Sequence, residues 1–411
     1  MNNPDISESP KLRFGIVGCG GVGPTHAGAL LRIDDAQLVA VADLIPQRAQ
    51  ALADKVGGDI KVYASDQELV ADPDIDVVCF ATPSGLHAEH SIRALRAGKH
   101  VVVEKPMEVT LDACDRMIAA QRETGRKLTI ISQHRFDPAT RLVKEAIDSG
   151  KLGRIICATA EVKWWRKQDY YDVANWRGTW ALDGGGSLMN QGVHTVDVLQ
   201  WLVGGVESVF GHTATAAHQI ETEDIACAAL RFNCGAIGTL TAATAAFPGH
   251  PARIDIYGTE GSAIIEGDRL KQMVLKNGQT FTAEDAARDA ISVAQGGTAS
   301  VKDEAHRRAA FGDKKAGWGD AHRAQILDLI RAIREDGQPL LDGPAARKPV
   351  EVVLAIYQSA RTQQLVQVAD VAAATTHRAA PAVSVVVKPN VVVARRTAAA
   401  AAGSAAAVSR E

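Results

Sequence analysis

Short apolar runs alternate with amphipathic stretches through the first third of the chain. The runs are Phe14–Val17, Gln37–Ala42, Val77–Ala81, His100–Val103 and Lys127–Ser132. Helical patterns fall between them at His26–Arg32, Pro46–Val56, His87–Ala97 and Leu111–Gly125. Gly57 and Gly58 follow the second of these, and Gly98 follows the third, where a left-handed residue ends a helix cheaply. A strand that is apolar at nearly every position is covered on both faces. The pattern therefore predicts a parallel sheet, doubly wound through right-handed crossovers.

After Phe136 the pattern changes. A helix is expected over Pro138–Asp148, a strand over Arg154–Val162 and a helix over Gly192–Leu202. Strand candidates then follow at Val206–Thr213, Ile225–Phe232, Ala236–Ala242, Ile254–Tyr257 and Ser262–Glu266, with no helices between them. That run predicts an α+β second domain with a large open, mainly antiparallel sheet. Long helices are expected at Ala321–Glu335 and Pro349–Gln364. The chain thus divides into a flexible start (1–10), a doubly wound α/β domain (11–135), a second domain (136–371) and an Ala/Val-rich tail (372–411). The last helix, 349–364, can pack back on the first domain. The tail lacks an amphipathic period and is expected to be mostly disordered, with Val383–Val387 and Val391–Val393 as alternative edge-strand pieces.

Composition narrows the function classes. Without the tail, the 411-residue chain has the length of two domains. A formal net charge of -3 argues against a strongly basic nucleic-acid binder. The uncharged stretch Phe232–Ala252 is broken by Gly, Thr and Pro, so it reads as strand and loop rather than a membrane span. Met1–Pro10 lacks the basic start and apolar core of a secretory signal. The six cysteines include no CxxC pair, and Cys19, Cys79 and Cys227 lie in apolar runs. Buried thiols in a reducing, cytoplasmic setting are expected, with no metal site.

The first strand runs into Gly18-Cys19-Gly20-Gly21-Val22-Gly23 and then a helix. This is GxGxxG in the strand–turn–helix context that binds a dinucleotide pyrophosphate. Asp43 ends the second strand, where a carboxylate can hold a ribose 2′-hydroxyl and repel a 2′-phosphate. NAD is therefore expected over NADP, with Arg48 read as a solvated helix residue. Thr82 and Pro83 follow the third apolar run, and Glu104 and Lys105 follow the fourth, at the same sheet edge. His87 either contacts the cofactor or sits on the surface of a helix N-terminus.

Two groups are candidates for proton transfer. Lys105 is constrained by Pro106, and partial burial lowers a lysine pKa. The alternative is a lysine paired with Glu104. Asn190, His194 and Asp197 fall at i, i+4 and i+7 behind Gly184-Gly185-Gly186. On a regular helix they share a face, where Asp197 can orient His194.

These motifs, in order GIVGCGGVG, ATPSGLH, EKP, GGGSLMNQGVHTVDVLQWLVG and YGTEGSAIIEGD, resemble the glucose–fructose oxidoreductase/inositol dehydrogenase/MocA (Gfo/Idh/MocA) family from about Leu12 to Val366. The resemblance implies a Rossmann domain, a second domain with a large open sheet, and a substrate cleft lined by Lys105 and His194. The family often carries Asp four residues before the His, and here that position is Asn190. It also implies hydride transfer between a secondary hydroxyl of a sugar, inositol or sugar nucleotide and the nicotinamide. A homodimer or homotetramer is the family habit. A glycosidase that retains NAD and a non-catalytic dinucleotide sensor are the competing readings.

Aromatic residues make up only 5% of the chain, yet five of the six tryptophans lie between Trp164 and Trp201. Tyr170, Trp176 and Arg177 are expected to meet the sugar, with Arg166 offered to a carboxylate or phosphate. Trp180 and Trp201 are read as core or interface. Arg135 either contacts substrate or bridges structural elements.

Overall fold

Leu12–Val17 (β1) runs through the middle of a six-stranded sheet. The computed structural model describes residues 10–286, 316–374, 383–388 and 391–396. From β1 the chain passes through Gly23–Leu30 (α1), Ala36–Ala42 (β2), Pro46–Val56 (α2), Lys61–Tyr63 (β3) and Asp66–Ala71 (α3). It then crosses back over β1 to Val77–Phe80 (β4), His87–Arg96 (α4), His100–Val103 (β5), Leu111–Thr124 (α5) and Leu128–Ile130 (β6). The strand order is β3-β2-β1-β4-β5-β6, and every pairing is parallel. The direction of winding reverses between β1 and β4, which opens a crevice at their carboxyl ends.

The sequence pattern misses β3 and α3. β3 has three residues, two of them exposed, so no apolar run marks it. α3 did carry a signal, because Ser65 accepts a hydrogen bond from Glu68 N and Glu68 reaches back to Ala64 N. That is the Ser-x-x-Glu pattern of a helix start.

The second sheet begins after Pro138–Asp148 (α6), with Ile155–Lys163 (β7). A single turn at Asp169–Asp172 (α7) leads to a π-helical turn over Ser187–Gly192 and then Val193–Val203 (α8). Val206–Ala214 (β8), Ile225–Phe232 (β9), Ile237–Ala243 (β10), Arg253–Gly258 (β11), Gly261–Glu266 (β12), Arg269–Leu275 (β13) and Thr280–Phe281 (β14) come next. The nine-stranded order is β14-β13-β12-β11-β7-β10-β9-β8-β15, closed by Val366–Gln367 (β15). Only β7 and β10 pair in parallel. One face packs on helices, while the other leaves Ile156, Phe210, Ile225, Ile237 and Tyr257 exposed. β9 alternates exposed and buried along its length. That alternation puts Cys227 outside, against the reading of its apolar run as buried, whereas Cys19 and Cys79 are inside. Burial pushes the Cys19 thiol up to about 12, with Asp43 adding to the effect.

Two long helices tie the sheets together. Ala316–Arg334 (α9) lies on α1: Arg323 Nε donates to Arg32 O at 2.9 Å, and Arg32 pairs with Asp320. Ile326, Leu329 and Ile330 share one core with Phe14 and Ile16. Gly343–Thr362 (α10) is capped by Asp342 and spans both layers. Its Arg347 grips Asp115 of α5, and its Ser359 hydroxyl accepts from Gly211 N of β8 at 3.1 Å. A final helix, Val368–Ala374 (α11), precedes Val383–Lys388 (β16) and Val391–Arg396 (β17), which among the described residues pair only with each other. No helix among the described residues is long and apolar enough to cross a membrane.

Candidate active site

The glycine loop sits at the carboxyl end of β1. Gly18 has φ +93, and a Cβ there would lie 2.4 Å from Ala81 O. A Cβ on Gly23 would lie 2.3 Å from Gly18 O. These two glycines close the turn. Gly21 has nothing within 4 Å of its Cβ position, and Gly20 only the Arg48 guanidinium at 4.0 Å. The middle of the loop is thus clear for a ligand to approach the backbone. Asp43 accepts from Cys19 N and Ile45 N, each at 2.8 Å, one on each oxygen. Each oxygen keeps further acceptor capacity, and Asp43 borders the cleft with Gly18, Gly20, Gly21 and Val22. Arg48, expected to be solvated, borders it too. The clear glycine backbone and the acidic residue fit a dinucleotide.

The cleft has a volume of about 2240 Å³. Small-molecule pockets usually enclose roughly 300–1,000 Å³, so this one has room for a dinucleotide and a second ligand together. It runs from the glycine loop past Thr82, Pro83, Glu104 and Lys105 to Asn190, His194 and the aromatic segment. Three expected site residues do not line it. Gly23 is committed to the turn. His87 is fully buried, with Nδ1 2.8 Å from Pro106 O and Nε2 3.0 Å from Thr82 O. It ties together the two loops that follow β4 and β5 and is neither exposed nor directed at a ligand. Arg135 is buried against Asp197, with Nε and Nη2 at 2.7 and 2.5 Å from the carboxylate, and stacks over Trp201. Of its two readings, the structural bridge is the one observed.

That pairing also removes Asp197 from His194. His194 and Asp197 both lie on the regular helix α8, and it is Asn190, on the π turn Ser187–Gly192, whose expected i, i+4 spacing to His194 is broken. Asp197 points instead to Arg135 and the Ser132 hydroxyl. His194 Nδ1 is buried and has no hydrogen-bond partner. Its ring meets His134 edge to face at 5.0 Å. Burial holds His194 well below the usual histidine pKa, and nearby Lys105 and His134 push it the same way. Burial also opposes a charged His134, but Asp137 and Asp268 outweigh it and raise that ring.

Lys105 leaves the end of β5 through a cis bond to Pro106. Its Nζ donates to Asn190 O at 2.8 Å. Glu104 is not its partner: that carboxylate is buried against His26 Nε2 at 2.8 Å and His322 Nε2 at 3.5 Å. Burial lowers the Lys105 pKa, with Glu104 and Asp183 working in the opposite direction. Asp183 is a carboxyl that the sequence pattern did not single out. It is fully buried, accepts from Gly178 N at 2.8 Å and bonds the Asn190 amide. Burial pushes it up to about 7, while Gly178, Asn190, Lys105 and Arg177 pull it down. Its position directly before Gly184-Gly185-Gly186 was the available signal.

The far wall is built from Trp164, Trp165, Tyr170, Trp176, Arg166 and Arg177. The Arg177 guanidinium stacks over Tyr170 at 4.2 Å, and its Nε is buried without a partner. Arg166 donates to Gln191 Oε1 at 2.8 Å, and Gln191 Nε2 donates to the Tyr170 hydroxyl at 2.9 Å. Trp180 lies outside the cleft, exposed and edge-on to Tyr357. Trp201 packs against the core.

Residues 12–132 match the family model described as "Oxidoreductase family, NAD-binding Rossmann fold", and residues 140–264 match "GFO/IDH/MocA C-terminal domain". The chain belongs to the Gfo/Idh/MocA family. It is an NAD-binding oxidoreductase of that family, in the company of dehydrogenases of CH–OH groups. It is 30% identical over 275 residues to the myo-inositol 2-dehydrogenase of Thermotoga maritima, covering 65% of this chain and 79% of that one. It is 35% identical over 211 residues to the D-glucoside 3-dehydrogenase of Escherichia coli, covering 50% and 58%. The WlbA dehydrogenase of Bordetella pertussis, solved with NADH and UDP-GlcNAcA, superposes with a TM-score of 0.74 at 35% identity, over 87% of this chain and 98% of that one.

Proposed function

We propose that this Gfo/Idh/MocA protein transfers a hydride between a secondary hydroxyl of a sugar, inositol or sugar-nucleotide ring and NAD, with Lys105 and His194 handling the proton. The observation that carries the reading is that Lys105 and His194, whose Nδ1 is buried without a hydrogen-bond partner, line the cleft that also holds the glycine loop and Asp43. Gly18, Gly20, Gly21 and Val22 would hold the pyrophosphate and Asp43 the ribose, with Thr82, Pro83 and Glu104 alongside. Bound there, the nicotinamide supplies the hydride acceptor. Lys105 and His194 orient the hydroxyl, and the deprotonated Lys105 amine takes its proton with His194 beside it. Tyr170 and Trp176 offer apolar faces to ring C–H groups, and Asn190 offers hydrogen bonds without charge.

The partner-free Nε of Arg177 favours a ring that carries an anionic group. A nucleotide-linked sugar, as in the WlbA complex, is the form that the long cleft suits best. The same reading has the protein working as a homodimer or homotetramer joined through the apolar open face of the nine-stranded sheet. Light scattering tests that point, and a monomeric mass in solution counts against it.

The test of function is a panel of inositols, free sugars and UDP-sugars with NAD and NADP, followed by NADH absorbance. Reduction of NAD by at least one class is expected. Turnover without net NADH points to an NAD-retaining glycosidase, and failure of the whole panel points to a sensor. Lys105→Ala should lose about 10²–10⁴-fold in kcat while still quenching or enhancing NADH fluorescence on binding. Full activity in that variant removes Lys105 from the reaction.

A further inference from the structure

Asp183 heads a chain of hydrogen bonds through the reacting end of the cleft. Its two oxygens take Gly178 N and the Asn190 amide. Asn190 then gives its main-chain O to Lys105 Nζ at 2.8 Å and its Oδ1 to Gln191 Nε2 at 2.7 Å. Gln191 continues to Tyr170 and Arg166 on the far wall. Among the described residues no cation forms a salt bridge with Asp183. Glu104, the other buried carboxylate near Lys105, is taken up by His26 and His322.

We propose that Asp183 is a positioning residue of the dehydrogenase reaction. It fixes Asn190 as the dock for Lys105, and its negative charge governs when Lys105 gives up its proton. The proposal rests on the reading of Lys105 as a proton acceptor. The Asn190 side chain is held between Asp183 and Gln191 while its main-chain O takes the lysine, so the charge beside this dock comes from Asp183.

The charged and titratable groups around the pair come from several elements. Lys105 faces Glu104 on its own loop, Asp183, Arg177 from the aromatic segment and His194 on α8. Asp183 faces Lys105 and Arg177, with the phenols of Tyr170, Tyr171 and Tyr357 nearby. An ionised Asp183 favours the protonated lysine, so removing the charge must let Lys105 deprotonate at lower pH.

The experiment uses the full chain. The pH dependence of Lys105 acylation by acetic anhydride, read by peptide mass spectrometry, is measured beside the pH profile of kcat/KM for oxidation. In Asp183→Asn both curves should move to lower pH, by about one unit. Asp183→Asn combined with Asn190→Asp restores the charge on the other side of the same hydrogen bond, and both curves should move back up. A melting profile like wild type with an unmoved Asp183→Asn labelling curve overturns the proposal. If that variant does not fold, the double variant decides, and a labelling curve still displaced to low pH overturns it. If both fail to fold, Asn190→Asp alone sets a second carboxyl against Asp183 and must keep the labelling curve at or above its wild-type pH, and a shift to lower pH overturns it. Labelling needs no turnover, so an active Lys105→Ala variant would sink the proton-acceptor reading separately, leaving the labelling curves to report on Asp183.

Discussion

Lys105 and His194 reach the same end of the cleft by different routes, and their environments set different pH behaviour. Burial, with Lys105 and His134 adding to it, pushes His194 well below the usual histidine pKa. On the proposed reading the limb on the acidic side belongs to Lys105, whose pKa is lowered from the ordinary lysine value of about 10.4. On that reading oxidation needs the unprotonated amine. Its kcat/KM should rise with pH and level off below the ordinary lysine range, while the reduction direction should show the opposite slope. A limb centred on an unshifted lysine would contradict this. Asp43→Ala should weaken NADH binding more than NADPH binding in a fluorescence titration, and equal losses would remove Asp43 from the ribose. Arg135→Ala leaves the Asp197 carboxylate buried without its bidentate partner. A loss of about 3–5 kcal/mol is expected, read as a lower urea midpoint with little change in KM. The sequence made Gly18, Asp43 and Lys105 legible because strand ends and glycine spacing dictate where they stand. It could not show that Asp197 meets Arg135, Asp183 meets Asn190 and Glu104 meets His322, contacts that join residues 62, 7 and 218 positions apart.

At the scale of elements, regular spacing was readable and irregular spacing was not. α2, α6 and β9 stand where apolar period and terminal residues put them. The π turn over Ser187–Gly192 carries no such signature. It gains one residue per turn over an α-helix, so it rotates α8 relative to Asn190 and breaks the expected shared face. The glycine loop makes a further prediction at this scale. Gly23→Ala would press a methyl into Gly18 O and should lower both the melting temperature and NADH affinity. Gly21→Ala meets no protein atom and should melt like wild type while losing NADH affinity. Equal melting temperatures for the two variants would show that Gly23 does not close the turn.

At the scale of the molecule, the two-sheet plan came from the switch between alternating and uninterrupted strands. Beyond the last helix, expected to pack back on the first domain, the pattern could not show that the chain also comes back through α9. α9 covers α1 and completes a core with β1, although nearly three hundred residues separate them. A chain cut after residue 315 should therefore bind a hydrophobic dye and lose cooperative melting. Cooperative melting in that fragment would show that the first sheet closes without α9.

The same return of α9 has a consequence for synthesis. A ribosome delivers β1 through β6 early and the residues that seal Phe14 and Ile16 late, beginning at Ile326. Until then this core is covered by α1 and α2 alone, and the apolar surface that α9 seals stays open. Such a chain invites chaperones that bind nascent apolar segments, and slow elongation through the middle of the message would prolong its exposure to aggregation.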